Sequence, residues 1–213
     1  MSFSRTIALA SLLLFLPLAA FADSSVDFAY SGGRITTTPT GSLTTGPKGS
    51  TLTSISGFDG LGTVTGSNLG GVFFTTGNLM SGSLSTGGIL AGGGSFIISA
   101  NGTGGLPSGV LFTGTFSGPV SWTLSPGLGG GPLIFYTLSG NISGTFSNGT
   151  SVSGVAVSIT FGLQQDYHGN VGIKSGSGTL SAVPEPGTLS LLGTGLVGIA
   201  GAVRRRIRAA SIS

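Results

Sequence analysis

Few residues of this chain could do chemistry, and their possible partners are fewer still. His168 is the only histidine among 213 residues. In Asp166-Tyr167-His168 an extended backbone sets acid and imidazole on the same side. Such a pair could hold a metal, or orient the imidazole as in a Ser-His-Asp set. A metal site recruits three or more ligands, however, and there is neither a second histidine nor any cysteine to supply them. No Gly-x-Ser-x-Gly elbow occurs. Residues 164–170 therefore read as a polar loop between the last two strands. Paired-carboxylate catalysis needs two acids brought close together. Asp23 and Asp27 lie near the chain start, which leaves Asp59 and Asp166. The expectation is a protein that is not an enzyme, with no catalytic residue, no metal and no cofactor.

The remaining motifs fare no better. Gly92-Gly93-Gly94 and Gly129-Gly130-Gly131 lack the Lys-Ser/Thr of a phosphate loop and the strand-to-helix setting of a dinucleotide fold. Asn101-Gly102-Thr103, Asn141-Ile142-Ser143 and Asn148-Gly149-Thr150 match the glycosylation pattern, and in a chain so rich in Gly, Ser and Thr they read as composition. Trp122 and Tyr136 could form a sugar-stacking platform, because an aromatic face binds a pyranose ring without charge. Both fall in phase with the apolar residues of their strands, which favours core packing. Tyr167, in the polar loop, is the better candidate for an exposed contact.

Strands must position all of these. The 42 glycines follow no three-residue period, so the chain is not collagen-like. Val26, Phe28 and Tyr30 share one parity, and Ser31-Gly32-Gly33 breaks it. A strand is expected over residues 52–55. Val72-Phe73-Phe74 and Phe96-Ile97-Ile98 are continuous apolar runs, consistent with strands buried on both faces. Residues 77–94 read as loops or edge strands. From residue 109 onward, Val110, Phe112, Phe116, Val120, Trp122 and Leu124 hold even positions with Ser and Thr between them. Ile134, Tyr136, Leu138, Ile142 and Phe146 repeat this, and Asn148-Gly149 marks a hairpin turn. Val155 to Leu163 form a third run, with a bulge expected near Gly154 because Val152 is out of step. A last strand covers residues 171–182. One buried face per strand, with Gly/Pro/Asn turns between, points to an antiparallel β-sandwich of jelly-roll-like form. A β-barrel is the alternative.

The ends carry different signals. Arg5, an apolar run over residues 7–18 and Ala20-Phe21-Ala22 form a secretory signal peptide, residues 1–22, with Ala20 and Ala22 defining cleavage before Asp23. Residues 23–182 are then the Gly/Ser/Thr-rich ectodomain. At the other end Val183-Pro184-Glu185-Pro186 is stiff and extended, because proline fixes φ and restricts the residue before it. An uncharged apolar helix follows over residues 187–203. It is short against the ~20 residues that a ~30 Å bilayer core asks for. Arg204, Arg205, Arg206 and Arg208 make a basic stop over residues 204–208. Arg5 and these four arginines account for the net charge of +3. The exported part sets Arg34, Lys48 and Lys174 against Asp23, Asp27, Asp59 and Asp166, so it has no basic stripe for nucleic acid.

The tail closely resembles the PEP-CTERM sorting tail of Gram-negative surface proteins, in the motif of residues 183–186, the apolar span and the arginines. The same tail also goes by the name of an ice-binding protein C-terminal segment, which describes some of its carriers. The resemblance implies processing by exosortase, a membrane protease-transpeptidase, with Glu185 and its flanking prolines as the recognition site. It also implies passage through the secretion machinery. The chain would be held transiently in the inner membrane by the C-terminal helix, then sent to the cell surface or extracellular matrix. The function expected is a structural or adhesive role in the envelope or exopolysaccharide matrix. A carbohydrate-binding or ice-binding surface module is the alternative, and a hydrolase stands behind both.

Overall fold

The computed structural model describes residues 25–125, 133–163 and 165–181. They fold as strands almost throughout. The first half holds β1 (Ser25–Ser31), β2 (Arg34–Thr37), β3 (Leu43–Thr45), β4 (Ser50–Ser56), β5 (Val64–Thr75) and β6 (Leu79–Ser83). The second holds β7 (Gly87–Leu90), β8 (Gly93–Asn101), β9 (Ser108–Phe116), β10 (Val120–Ser125), β11 (Ile134–Phe146), β12 (Ser151–Leu163) and β13 (Asn170–Ser181). A 3-10 turn, Phe58–Gly60, joins β4 to β5.

Strands β1, β4, β5, β8, β9, β11, β12 and β13 close a ring in which all neighbours are antiparallel. The other five prolong it at one rim. β2 continues β1 along β13, and β3 leads into β4 beside β5. β10 continues β9 along β11, while β6 and β7 carry the β5–β8 pair onward. Around the ring the eight strands follow one another in chain order, and the seam between β13 and β1 closes it, so this is an up-and-down barrel. The seam decides the architecture. Val26 faces Leu180, Phe28 faces Gly178 and Tyr30 faces Gly176, whereas a sandwich would leave β1 or β13 at a sheet edge. The all-β class holds, and the barrel replaces the preferred sandwich.

Alternation explains the wall. Inward positions are apolar, and outward ones are mostly Ser, Thr and Gly, the reverse of a transmembrane barrel. Among the described residues no helix is long and apolar enough to cross a membrane. The helices expected at residues 1–22 and 187–203 lie outside the described residues. Two expectations need correction. Val72, Phe74, Phe96 and Ile98 point inward, while Phe73 and Ile97 are half-exposed partners on the outer face, so these strands are buried on one face only. In β9 the register slips between Ile98 and Ser99 opposite, which leaves Leu111 as an extra residue. Leu111 turns inward beside Phe112, and Val110 is left 50% exposed. The expected bulge at Gly154 is present, with φ at 66°.

Aromatic rings fill the interior as a continuous column. From one rim to the other it runs Tyr167, Trp122, Phe161, Tyr30, Phe28, Phe96, Phe112, Phe146 and Phe58, with successive ring centroids 4.8–6.3 Å apart. Eight strands enclose a space that side chains can just fill, and so many rings fit only where other inward positions are empty. Gly176 and Gly178 on β13 supply that room. A Cβ at Gly176 would fall on the Tyr30 ring, and one at Gly178 on the Phe28 ring. Tyr30 crosses the strand over Gly176, and its hydroxyl donates to the Thr160 carbonyl of β12 at 2.9 Å.

Gly178→Ala should therefore cost about 1–3 kcal/mol, as overpacking does. Melting should fall by roughly 2–4 °C for each kcal/mol in a domain of this size. Gly172→Ala, in the same strand with nothing within 4 Å of its added Cβ, should be nearly neutral. Equal melting temperatures for the two variants would refute this account of the core.

Candidate functional site

The prolonged rim is closed by a hydrogen-bonded cap rather than an open mouth. Trp122 and Tyr136 stack with centroids 4.8 Å apart and planes 11° from parallel. Both send their polar ends into the β6–β7 turn: the Trp122 indole N–H donates to the Leu84 carbonyl at 2.9 Å, and the Tyr136 hydroxyl donates to Ser85 O at 2.7 Å. The Tyr167 backbone N–H donates back to the Tyr136 hydroxyl at 3.3 Å. The Tyr167 hydroxyl meets Thr37 Oγ1 at 2.6 Å. A buried polar atom without such a partner would cost about 1–3 kcal/mol, so these bonds are what let rings with polar ends sit in the core.

Trp122 and Tyr136 are buried, as their parity indicates, and offer no platform to a sugar. Tyr167 overturns the expectation of an exposed contact: it is 1% exposed and plugs the barrel. Asp166 and His168, on either side, are exposed. His168 borders an open depression of about 520 Å³ with Thr37, Ser83, Leu84, Ser85 and Tyr167. No hydrogen bond joins it to Asp166, and no group of three metal-ligating side chains exists, among the described residues. Asp59 sits in the turn after β4, at the rim opposite the loop that carries Asp166. The two acids cannot act on one bond.

At that opposite rim Asp59 accepts a hydrogen bond from the Asn148 side-chain amide at 3.1 Å. The two residues are 89 positions apart, and no sequence pattern links them. The outer wall is lined with hydroxyls. Thr123, Thr137, Thr160 and Ser177 form one row across β10, β11, β12 and β13. A shallow depression of about 470 Å³ lies beside it, over Gly140 and Ala156, with Ser139, Ser158 and Thr179 around them. Arg34, Lys48 and Lys174 balance Asp27, Asp59 and Asp166 in the described part, so the wall carries no net charge.

β13 ends at Ser181, paired with Ser25. The next 25 residues, 182–206, match the family model for the PEP-CTERM protein-sorting motif. The chain carries a PEP-CTERM sorting signal. No curated protein and no solved structure matches it. The motif marks an exported protein, sorted through the membrane by exosortase-type processing. Val183, Pro184, Glu185 and Pro186 fall within the matched segment, as do Arg204, Arg205 and Arg206. These residues, with Arg208, Ala20 and Ala22, lie outside the described residues.

The barrel holds all three tyrosines of the chain, and burial raises the pKa of each. For Tyr30 the rise is large. At Tyr136 the nearby Asp166 charge adds to it, and the Tyr167 N–H opposes it. At Tyr167 the Thr37 hydroxyl opposes it. An unfolded tyrosine ionises near about 10, so the unfolded chain loses these protons first as pH rises. The stability that these three tyrosines contribute is thus full below about pH 10 and falls above it. Tyrosinate absorbance should lag in the native protein and return to the ordinary midpoint in guanidinium. Three native tyrosines titrating with the ordinary midpoint would contradict the buried cap.

Proposed function

We propose that this protein, once exported and sorted, serves as a neutral structural or adhesive element of the envelope or exopolysaccharide matrix, and that it is not an enzyme. The observation that carries the reading is the sorting motif at residues 182–206 following directly on a barrel whose wall is lined with hydroxyls and has no net charge. Such a wall exchanges hydrogen bonds with hydrated neutral polymer on nearly the same terms as with water, and it neither attracts nor repels charged chains. The packed aromatic interior supports the same reading, since the barrel carries structure rather than cargo. Transient anchoring in the inner membrane by residues 187–203, and recognition of Glu185 and its flanking prolines, belong to this proposal.

The ice-binding alternative asks for a flat threonine array, and the row from Thr123 to Ser177 wraps a curved wall. The aromatic-platform form of the carbohydrate-binding alternative loses both its rings to the core. The placement of Asp59 and Asp166 at opposite rims weighs against a hydrolase that uses an acid pair.

The test is the intact mass of the protein from cells with and without the sorting protease, together with its fraction. The expected mature form begins at Asp23, ends near Pro186 only when the protease is present, and fractionates with matrix polymer. Retention of Arg204 to Ser213 in both strains would make the tail a plain anchor and remove the matrix role.

A further inference from the structure

The rim where β1 begins and β13 ends holds a feature the proposed role does not use. The turn after β4 starts at Gly57, with φ at 75°, and passes through Asp59, with φ at 49°. Asp59 is the only non-glycine residue in the left-handed region among the described residues. Glycine would fit there without strain, so an acid held in that conformation suggests that its side chain is needed. Phe58 turns under the barrel against Phe146 and anchors the turn.

The Asp59 carboxylate is also aimed. Asn148 donates from Nδ2 to Asp59 Oδ1, and its own Oδ1 accepts the Thr150 backbone N–H at 2.9 Å. Both ends of the amide are thereby engaged, and one carboxylate oxygen is fixed while the exposed side chain keeps its other lone pairs free. Beside this pair lies a depression of about 240 Å³. Half-exposed Phe146 and Val152 and buried Val155 and Leu180 form its apolar floor, and Thr150 borders it.

An apolar floor that includes a partly exposed aromatic ring, next to a single oriented acceptor and an amide, is complementary to a ring with an apolar C–H face and donating hydroxyls. The geometry points to a binding site for a neutral hexopyranose unit at the Asp59–Asn148 pair, with the sugar face on Phe146 and Val152 and adjacent hydroxyls donating to the carboxylate. This inference rests on the matrix reading for its ligand class. It differs from the platform excluded above, because it uses the opposite rim and a planar polar pair rather than Trp122 and Tyr136.

The test titrates the full chain in detergent micelles with methyl glucoside, methyl galactoside and methyl mannoside, by calorimetry and by NMR of the valine methyls. At least one glycoside should bind and shift Val152. Asp59→Asn keeps a residue that tolerates the left-handed conformation, so melting should be unchanged while affinity falls at least tenfold. Asn148→Ala should also lose at least tenfold. The inference is overturned if no glycoside binds, if Asp59→Asn binds as the parent does, or if methylammonium ion is preferred. Matrix fractionation without glycoside binding would sink the site and leave the matrix role standing. Glycoside binding by a protein that never leaves the membrane would do the opposite.

Discussion

The rest of the structure depends on two aromatic rings lying over bare backbone. Phe28 and Tyr30 of β1 lean across β13, where Gly178 and Gly176 have no side chains to resist them. Tyr30 thereby reaches past its neighbour strand and hydrogen-bonds to the strand beyond. The contact closes the barrel in a literal sense. It joins the first strand to the last, and it links the aromatic cluster under the cap to the phenylalanines at the opposite rim. Rings arranged edge-to-face or tilted at these distances add to simple area burial. A chain without cysteine needs a core of this density, since no disulfide assists it.

Glycine is abundant here for more than one reason. At Gly32, Gly33 and Gly149 it supplies turns with positive φ. At Gly176 and Gly178 the backbone is ordinary and the need is for empty space. The low-complexity appearance of the sequence therefore hides a specified interior. Small residues lie beside large ones at the β1–β13 seam, and the small ones are indistinguishable by type from those on the surface.

Much of the wall was legible because a strand with one buried face writes its parity into the chain. The turns at Gly32-Gly33 and Asn148-Gly149 and the bulge at Gly154 were readable from local rules. The barrel itself was not, since alternation is the same whether a sheet closes on itself or packs on a second one. The deciding pair, Ser25 with Ser181, spans the whole domain. Leu111 escaped because a bulge reverses parity without a marker residue. Tyr167 escaped because a lone ring between polar neighbours looks like surface, and its burial depends on Thr37, Trp122 and Tyr136 from distant strands. The one clue available was the run of glycines at the inward positions of the last strand, opposite aromatic residues of the same parity in the first. The Asp59–Asn148 pair had no such clue, being made by two loops that meet only when the barrel is formed.

The seam between β1 and β13 also sets an order of events. β13 is the last part of the barrel to be synthesised, so β1 stands with an unpaired edge until the chain is nearly complete. An open edge is a template for pairing with any other strand, and contacts of such long sequence separation form slowly. The segment that follows β13 arrives only moments after the strand that ends this exposure. A chain whose membrane-directed tail is in place is one whose barrel has everything it needs to close.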